Sequence, residues 1–489
     1  MEIPYVRPSA LEKAFYTGRK YLKTGRLHAA PAVILLALVL SACSPPTPSK
    51  PGTSTPRPDA AGDASEADTP TPAASRLEVE EEALRGVRIK AWHPWFGAQA
   101  SLFESQAAQF NTENQWGIIV DAESKTSFSE LFLQTDAALK ESGPPQVVIA
   151  FPEHAIGWQE QVVDLNAYVQ DPLYGLGPAE ISDFYPPVWA QDEVDGRRLG
   201  LPAQRTARFI LSNQSWAREL GFDSPPVSSS DFEQQACAAH RALGQDDDPT
   251  NDALGGWLID TDPITSLSWM LAFDGGAQEQ GGYRFLFPGN VAAFRYLKTL
   301  QQKSCAWVPS PDLPAFDRFA ARQALFATAG LQDLPDQTRA FSAAANRDEW
   351  TVLAFPGEER DALVLYGSSF ILLASDDVTQ LASWLFMRWM LSPENQARWV
   401  QSTGLFPLRA STLDLLADYA AGHPQWAQAV ALLPQGEGTP QLASWRVVRV
   451  MLGDGFRDMF DTIRHPDLTE GQVPLILRQM DQTAQDLNQ

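Results

Sequence analysis

Between residues 86 and 151 the spacing of apolar positions changes period in turn. Val87, Ile89 and Ala91 alternate with Arg88, Lys90 and Trp92, the period of two that turns one face of a strand inward. Phe103, Ala107 and Phe110 then recur at helical spacing, which predicts a helix over about 98–110. A second strand is expected at 118–120 and a helix over about 129–140. Beyond the breaker Gly143-Pro144-Pro145 a third strand is expected at 147–151. Strands alternating with helices of this length predict an α/β fold with a parallel, helix-covered sheet. In such sheets ligands bind beyond the carboxyl ends of the strands. The segments in that position are Trp92-His93-Pro94-Trp95, Ser124 to Phe128, and Pro152-Glu153-His154.

A second α/β unit begins where Leu199-Gly200-Leu201-Pro202 leads into the apolar strand Arg208-Phe209-Ile210-Leu211 and a helix around 215–220 closed by Gly221. Val378, Leu381, Ala382, Leu385, Phe386 and Trp389 mark an amphipathic helix. Ser392-Pro393-Glu394 then supplies an N-cap, a first-turn proline and an acid at the positive end of the helix dipole, and Gly404 closes that helix. Most of 411–489 reads as helix.

The 489 residues carry 60 Asp and Glu against 37 Lys and Arg, a net charge of -23 that argues against nucleic-acid partners. Six basic residues nevertheless precede an apolar run from Ala29 to Ala42, which is too short to span a bilayer as a helix but suits a secretory signal over 1–42. Leu40-Ser41-Ala42-Cys43 at its end resembles the bacterial lipobox. That resemblance implies lipidation of Cys43 and an extracytoplasmic protein anchored by lipid, at the outer face of the cytoplasmic membrane or in the periplasm where an outer membrane exists. Ser44 to Ser75 contains eight prolines and no apolar periodicity, so 43–85 reads as a tether.

Two cysteines remain, Cys237 and Cys305, and in an exported chain they form either a disulfide or two separate buried thiols. No metal-ligand spacing is present, and no cofactor is expected. The acidic loop 246–252 lacks the glycine and the glutamate of an EF-hand and reads as a solvated turn.

Four stretches carry a family resemblance. Leu199-Gly200-Leu201-Pro202 with Phe209-Ile210-Leu211-Ser212-Asn213 looks like a crossing into a second lobe. Leu220-Gly221-Phe222 with Ser229-Ser230-Asp231-Phe232 follows, with Ser230 where tryptophan is usual. Phe326 to Leu331 matches less well, at Thr328 and Ala329. The last match is Gly367-Ser368-Ser369, then Ala382-Ser383-Trp384-Leu385-Phe386, Leu391 to Gln396, and Thr403-Gly404-Leu405-Phe406-Pro407-Leu408-Arg409. Over roughly 86–489 the chain resembles the solute-binding proteins of bacterial ABC importers, in the extracellular family 1 that includes maltose-binding protein. The resemblance implies a two-lobed periplasmic-binding-protein fold, type II-like, whose lobes are mostly parallel helix-covered sheets joined by a hinge. Lobe 1 is expected to take 86–203 with 311–356, lobe 2 to take 204–310 with 357–412, and 413–489 to form a C-terminal helical region. Both cysteines then fall in lobe 2, which favours their pairing.

Such a protein is expected to be a non-enzymatic monomer that hands a small solute, here a carbohydrate, to permease subunits. Sugars present apolar faces and many hydroxyls, so their sites need aromatic platforms and paired polar groups. The candidates are Trp92, His93, Trp95, Phe128, Glu153, His154, Gln204, Arg205, Trp269, Gly275, Gly330, Tyr366 and Ser368. Arg205 is the favoured polar clamp, and core packing competes for Trp269. Polyamine, metal-complex or phosphodiester ligands, a sensory lipoprotein, and a hydrolase pairing Glu153 with Asp183 or Asp192 are the alternatives.

Overall fold

The computed structural model describes residues 75–141, 143–310 and 313–488. The signal, Cys43 and the tether up to residue 74 lie outside the described residues. Among the described residues no helix is long and apolar enough to cross a membrane.

The strands used below are, in chain order, β1 Arg88–His93, β2 Ile119–Ser124, β3 Val147–Ala150, β4 Leu201–Pro202, β5 Thr206–Asn213, β6 Trp257–Leu258, β7 Ala306–Trp307, β8 Phe326–Gly330, β9 Trp350–Leu353, β10 Val364–Tyr366, β11 Ser369–Leu372 and β12 Glu437–Gly438. The helices are α1 Gly97–Glu113, α2 Phe128–Lys140, α3 Pro152–Gly157, α4 Ser229–Leu243, α5 Pro263–Ala272, α6 Pro288–Gln302, α7 Asp377–Met390, α8 Pro393–Thr403, α9 Pro424–Leu432, α10 Trp445–Phe460 and α11 Val473–Leu487.

In β1 the alternation read from sequence holds residue by residue, with Ile89, Ala91 and His93 buried while Arg88 and Lys90 face out. Helix α1 buries Phe103, Ala107 and Phe110. At α7 the Asp376 carboxylate accepts from the Thr379 N–H at 2.9 Å, and at α8 the Ser392 hydroxyl accepts from that of Asn395. Gly404 ends α8 at φ 70°.

The first sheet runs β2-β1-β3-β11-β4 and the second β7-β6-β8-β5-β10-β12, with β9 paired to β5. Both sheets are mixed, not mostly parallel. β1 is parallel to β2 and β3, whereas β11 runs antiparallel to β3 and β4. In the second sheet β5 is antiparallel to β8, β9 and β10. The antiparallel members are the strands that carry the chain between lobes: each enters one sheet by leaving the other.

This pairing corrects the expected lobe boundaries. Residues 326–366 belong to the second sheet, and β11 with α7 and α8 belongs to the first, the reverse of the sequence expectation for 311–356 and 369–412. The crossing falls at Gly367-Ser368, between β10 and β11. The C-terminal region is not a separate layer either, since β12 joins the second sheet and α10 and α11 pack with α5 and α6.

Side chains of β5 divide between two cores. Phe209 and Leu211 point into the cluster shared with lobe 1, while Ile210 points into the core of lobe 2 with Trp257, Trp269, Phe294 and Phe456. Trp257, Trp269, Trp384 and Trp445 are each fully buried, a contribution of about 1.5–3 kcal/mol per large side chain.

Cys237 in α4 and Cys305 ahead of β7 form a disulfide with Cα atoms 4.5 Å apart, closing a loop 68 residues long. Cross-linking a loop of this length restricts the unfolded chain. Replacing both cysteines by alanine is expected to cost about 2–4 kcal/mol, read as a lower urea midpoint that reductant does not lower further.

Candidate functional site

The β3 end leads through Phe151 into α3, and there the aromatic side chains of lobe 1 gather. Phe128 stacks on Phe151 at 4.1 Å between centroids, and Phe132 stacks on Trp158 at 5.4 Å and contacts His154 at 4.8 Å. Glu153 and His154 are 4% and 3% exposed. Burial raises the Glu153 pKa, with Arg449 and Arg446 opposing. Burial, aided by the same two arginines, lowers that of His154 to about 3, so this imidazole is neutral near pH 7. Glu153 Oε1 and His154 Nδ1 are buried without a hydrogen-bond partner, a costly state for a polar atom in the absence of a ligand or water.

Helix α10 of lobe 2 closes over this cluster. Arg446 lies 4.6 Å above the Phe132 ring and Arg449 4.8 Å above that of Phe151, and Arg449 Nη1 is 3.6 Å from Glu153 Oε1. A narrow cavity of about 10 Å³, room for about one water, lies between the lobes here, lined among others by Phe151, Glu153, Ile264, Tyr366, Trp445 and Arg449. Larger grooves exist on the outer surface, but this cavity is bordered by side chains of both lobes, with the unpartnered Glu153 Oε1 among them.

Lobe 2 adds a polar wall at the start of β5. Arg208 donates from Nε and Nη2 to Asp260 Oδ2 at 3.0 and 2.6 Å, and from Nε to the Thr265 hydroxyl at 3.0 Å. Burial works against the Arg208 charge, but Asp260 and Asp262 outweigh it and hold its pKa above the usual value. Asp262 is raised by burial, and Tyr366 is pushed up by burial to about 12. Gly330 pairs with Arg208 across the ladder and donates its N–H to Asp333, and the neighbouring Thr206 hydroxyl donates to Gln332. Gly330 and Tyr366 therefore belong to this wall.

At the β1 end, Trp92 is half-buried with Lys125 Nζ 3.8 Å over its ring. His93 and Trp95 go elsewhere. His93 is wholly buried, 4.9 Å from Phe103 and 5.5 Å from Trp95, and burial lowers its pKa to about 4. Trp95 packs on Trp399 at 4.6 Å. Both are core residues of lobe 1, because the strand's inward face continues through them.

Arg205 is also a correction, since it is fully buried and cannot clamp a solute. Its Nη1 donates to the Ser368 and Gln204 carbonyls at 2.6 and 2.9 Å, and its Nη2 to Asp192 and the Ser369 hydroxyl at 2.8 and 3.1 Å. Ser368 is buried and lends its carbonyl to this cluster, whereas Gln204 is half-buried with an unpartnered Oε1. Trp269 sits in the lobe 2 core against Phe232, Trp257 and Phe355. Gly275 closes α5 in a tight turn where a Cβ would meet Asn290 Oδ1 at 1.9 Å. The cavity thus unites Glu153 and Tyr366; Phe128 and His154 lie behind its Phe151, Gly330 lies opposite Arg208, and His93, Trp95, Arg205, Trp269 and Gly275 lie elsewhere.

Arg446, Arg449, Arg208, Asp260 and Asp262 were not anticipated. Arg446 and Arg449 share a helix face at i and i+3, the one sequence signal that could have singled them out. For the hydrolase alternative, Asp183 is held by Arg409 at 2.8 Å and Asp192 by Arg205. The acidic loop is a surface turn bonded to itself through Asp246 and Asp248, and the described residues hold no metal-binding group of His, Cys, Asp or Glu.

Two lobes on crossing strands, with an inter-lobe cavity at the strand ends, define a hinged binding protein. Residues 105–434 match the family of bacterial extracellular solute-binding proteins, and the chain belongs to that family. No curated protein sequence is significantly similar to it. Among solved structures it is similar to the sugar-binding protein MalE of Xanthomonas citri, with TM-score 0.69 and 19% identity over 82% of this chain and 97% of that one. It is also similar to the cyclic α-maltosyl-1,6-maltose binding protein of Arthrobacter globiformis, with TM-score 0.67 and 16% identity over 82% and 98%. A third is UgpB of Mycobacterium tuberculosis in complex with glycerophosphocholine, with TM-score 0.62 and 18% identity over 82% and 98%.

Arg205 has a structural assignment that can be tested. Arg205→Ala leaves Asp192 charged, buried and unpaired, which is expected to cost about 3–5 kcal/mol. The measurement is the denaturant midpoint, and an unchanged midpoint contradicts the assignment.

Proposed function

We propose that this chain is the lipid-anchored, monomeric receptor of an ABC importer, capturing a carbohydrate between its lobes and passing it to permease subunits. The observation that carries the reading is the gap between the lobes at the β3 end, where Phe151, Tyr366 and Trp445 border the unpartnered Glu153 Oε1. Phe128, half-buried and stacked on Phe151, supplies an apolar platform for a sugar C–H face. Glu153, Tyr366, Arg208 and Asp262 supply donors and acceptors for hydroxyls. Two of the structural neighbours are described as sugar-binding or maltosyl-maltose-binding proteins, which supports the same ligand class. Family membership supports the extracytoplasmic location. The lipid anchor rests on Leu40-Ser41-Ala42-Cys43.

A solute that binds only the folded chain raises its melting temperature in proportion to ln(1 + [L]/Kd), about 2.7 kcal/mol at a hundredfold excess over Kd. A saccharide panel is expected to give a dose-dependent rise in Tm. A response to polyamines alone overturns the carbohydrate assignment.

A further inference from the structure

The charges around the cavity are not evenly mixed. On the lobe 2 side Tyr366 borders the cavity, and beside it Arg208 faces Asp260 and Asp262, with Asp333 nearby, so that side is acidic and suited to hydroxyls. At the α10 side two guanidinium groups, Arg446 and Arg449, meet a single carboxylate, Glu153, and the neighbouring His154 is neutral. Arg446 has no ion pair among the described residues and rests only on the Phe132 face. Arg449 approaches Glu153 at 3.6 Å without a hydrogen bond to it, leaving Glu153 Oε1 unpartnered. In a chain of net charge -23 this is a local cationic excess beside a cavity that both lobes border. Guanidinium forks lying on aromatic faces are presented flat, and they recognise carboxylate or phosphate oxygens in pairs.

We infer that the solute is a polyhydroxyl compound bearing an anionic group, carboxylate or phosphate, which is seated against Arg446 and Arg449 while its hydroxyls meet the Arg208, Asp262 and Tyr366 wall. This deepens the receptor reading and rests on it. Glu153 occupies part of the cationic site and competes with the incoming anion.

The test is calorimetric titration of the full chain in detergent with maltose, digalacturonic acid and glycerophosphocholine at low salt. One anionic probe is expected to bind at least about tenfold tighter than maltose, the margin of a charge-assisted hydrogen bond. That ratio is expected to collapse toward one in Arg446→Gln/Arg449→Gln. Glu153→Gln, which removes the competing carboxylate, is expected to raise it, a change of sign that simple loss of structure cannot produce. Arg449→Lys serves if the double variant fails to fold, and is expected to retain part of the ratio. A preference for digalacturonic acid assigns a carboxylate, and one for glycerophosphocholine a phosphodiester. Tight binding of maltose alone, or a ratio that survives the arginine substitutions, overturns the inference and leaves the receptor reading intact. Silence from all three overturns the inference and counts against the receptor reading as well.

Discussion

The buried guanidinium of Arg205 is the point on which both lobes depend. It stands between β4 of the first sheet and β5 of the second, and it bonds the Ser368 carbonyl between β10 and β11, where the chain crosses back. Its own carbonyl accepts the Phe406 N–H at 3.1 Å, which brings a third passage of the chain to the same place. Asp192 balances the charge, and Ser369 bonds both partners. Desolvating two charges is costly, and their mutual attraction with these added hydrogen bonds offsets that cost. Gly367 permits the close approach, because a Cβ there would stand 2.1 Å from the Gln204 carbonyl oxygen. An ion pair confined to the crossings fixes where the lobes join while leaving their outer parts free to turn about it.

What the lobes turn toward is set by the strand ends. The first sheet delivers a ring cluster and Glu153, the second a polar wall at Arg208, and α10 reaches across with Arg446 and Arg449. Contacts of arginine with aromatic faces contribute about 0.5–2 kcal/mol each, enough to bias closure without locking it. Binding energy from a solute that touches both lobes then selects the closed arrangement.

The local pattern was legible because each element obeys one period. β1, α1, β2, α2, β3, α7 and α8 fall where the spacing of their apolar residues places them, and the cap at Ser392 forms as its sequence implies. Lobe membership was less legible, since β10 and β11 are both short apolar strands and only their pairing partners assign them to different sheets. The site was half legible. Strand-end position pointed to Glu153, which borders the cavity, and to His154 and Phe128 beside it, but it could not tell that the inward face of β1 carries His93 and Trp95 into the core. An arginine beside a crossing looks alike in sequence whether it faces solvent or a buried aspartate, and Arg205 faces the aspartate. Arg446 and Arg449 come from a helix nearly 300 residues beyond Glu153 in the chain, a distance that no local pattern spans.

The central claim is that solute closes two lobes about the Arg205 crossing. Spin labels on Leu133→Cys in α2 and Leu475→Cys in α11, both exposed positions on different lobes, allow the distance between lobes to be measured by pulsed electron resonance. With saturating solute the distribution is predicted to shift to a single shorter distance. An unchanged distribution at a solute concentration shown by calorimetry to saturate the protein would contradict the account.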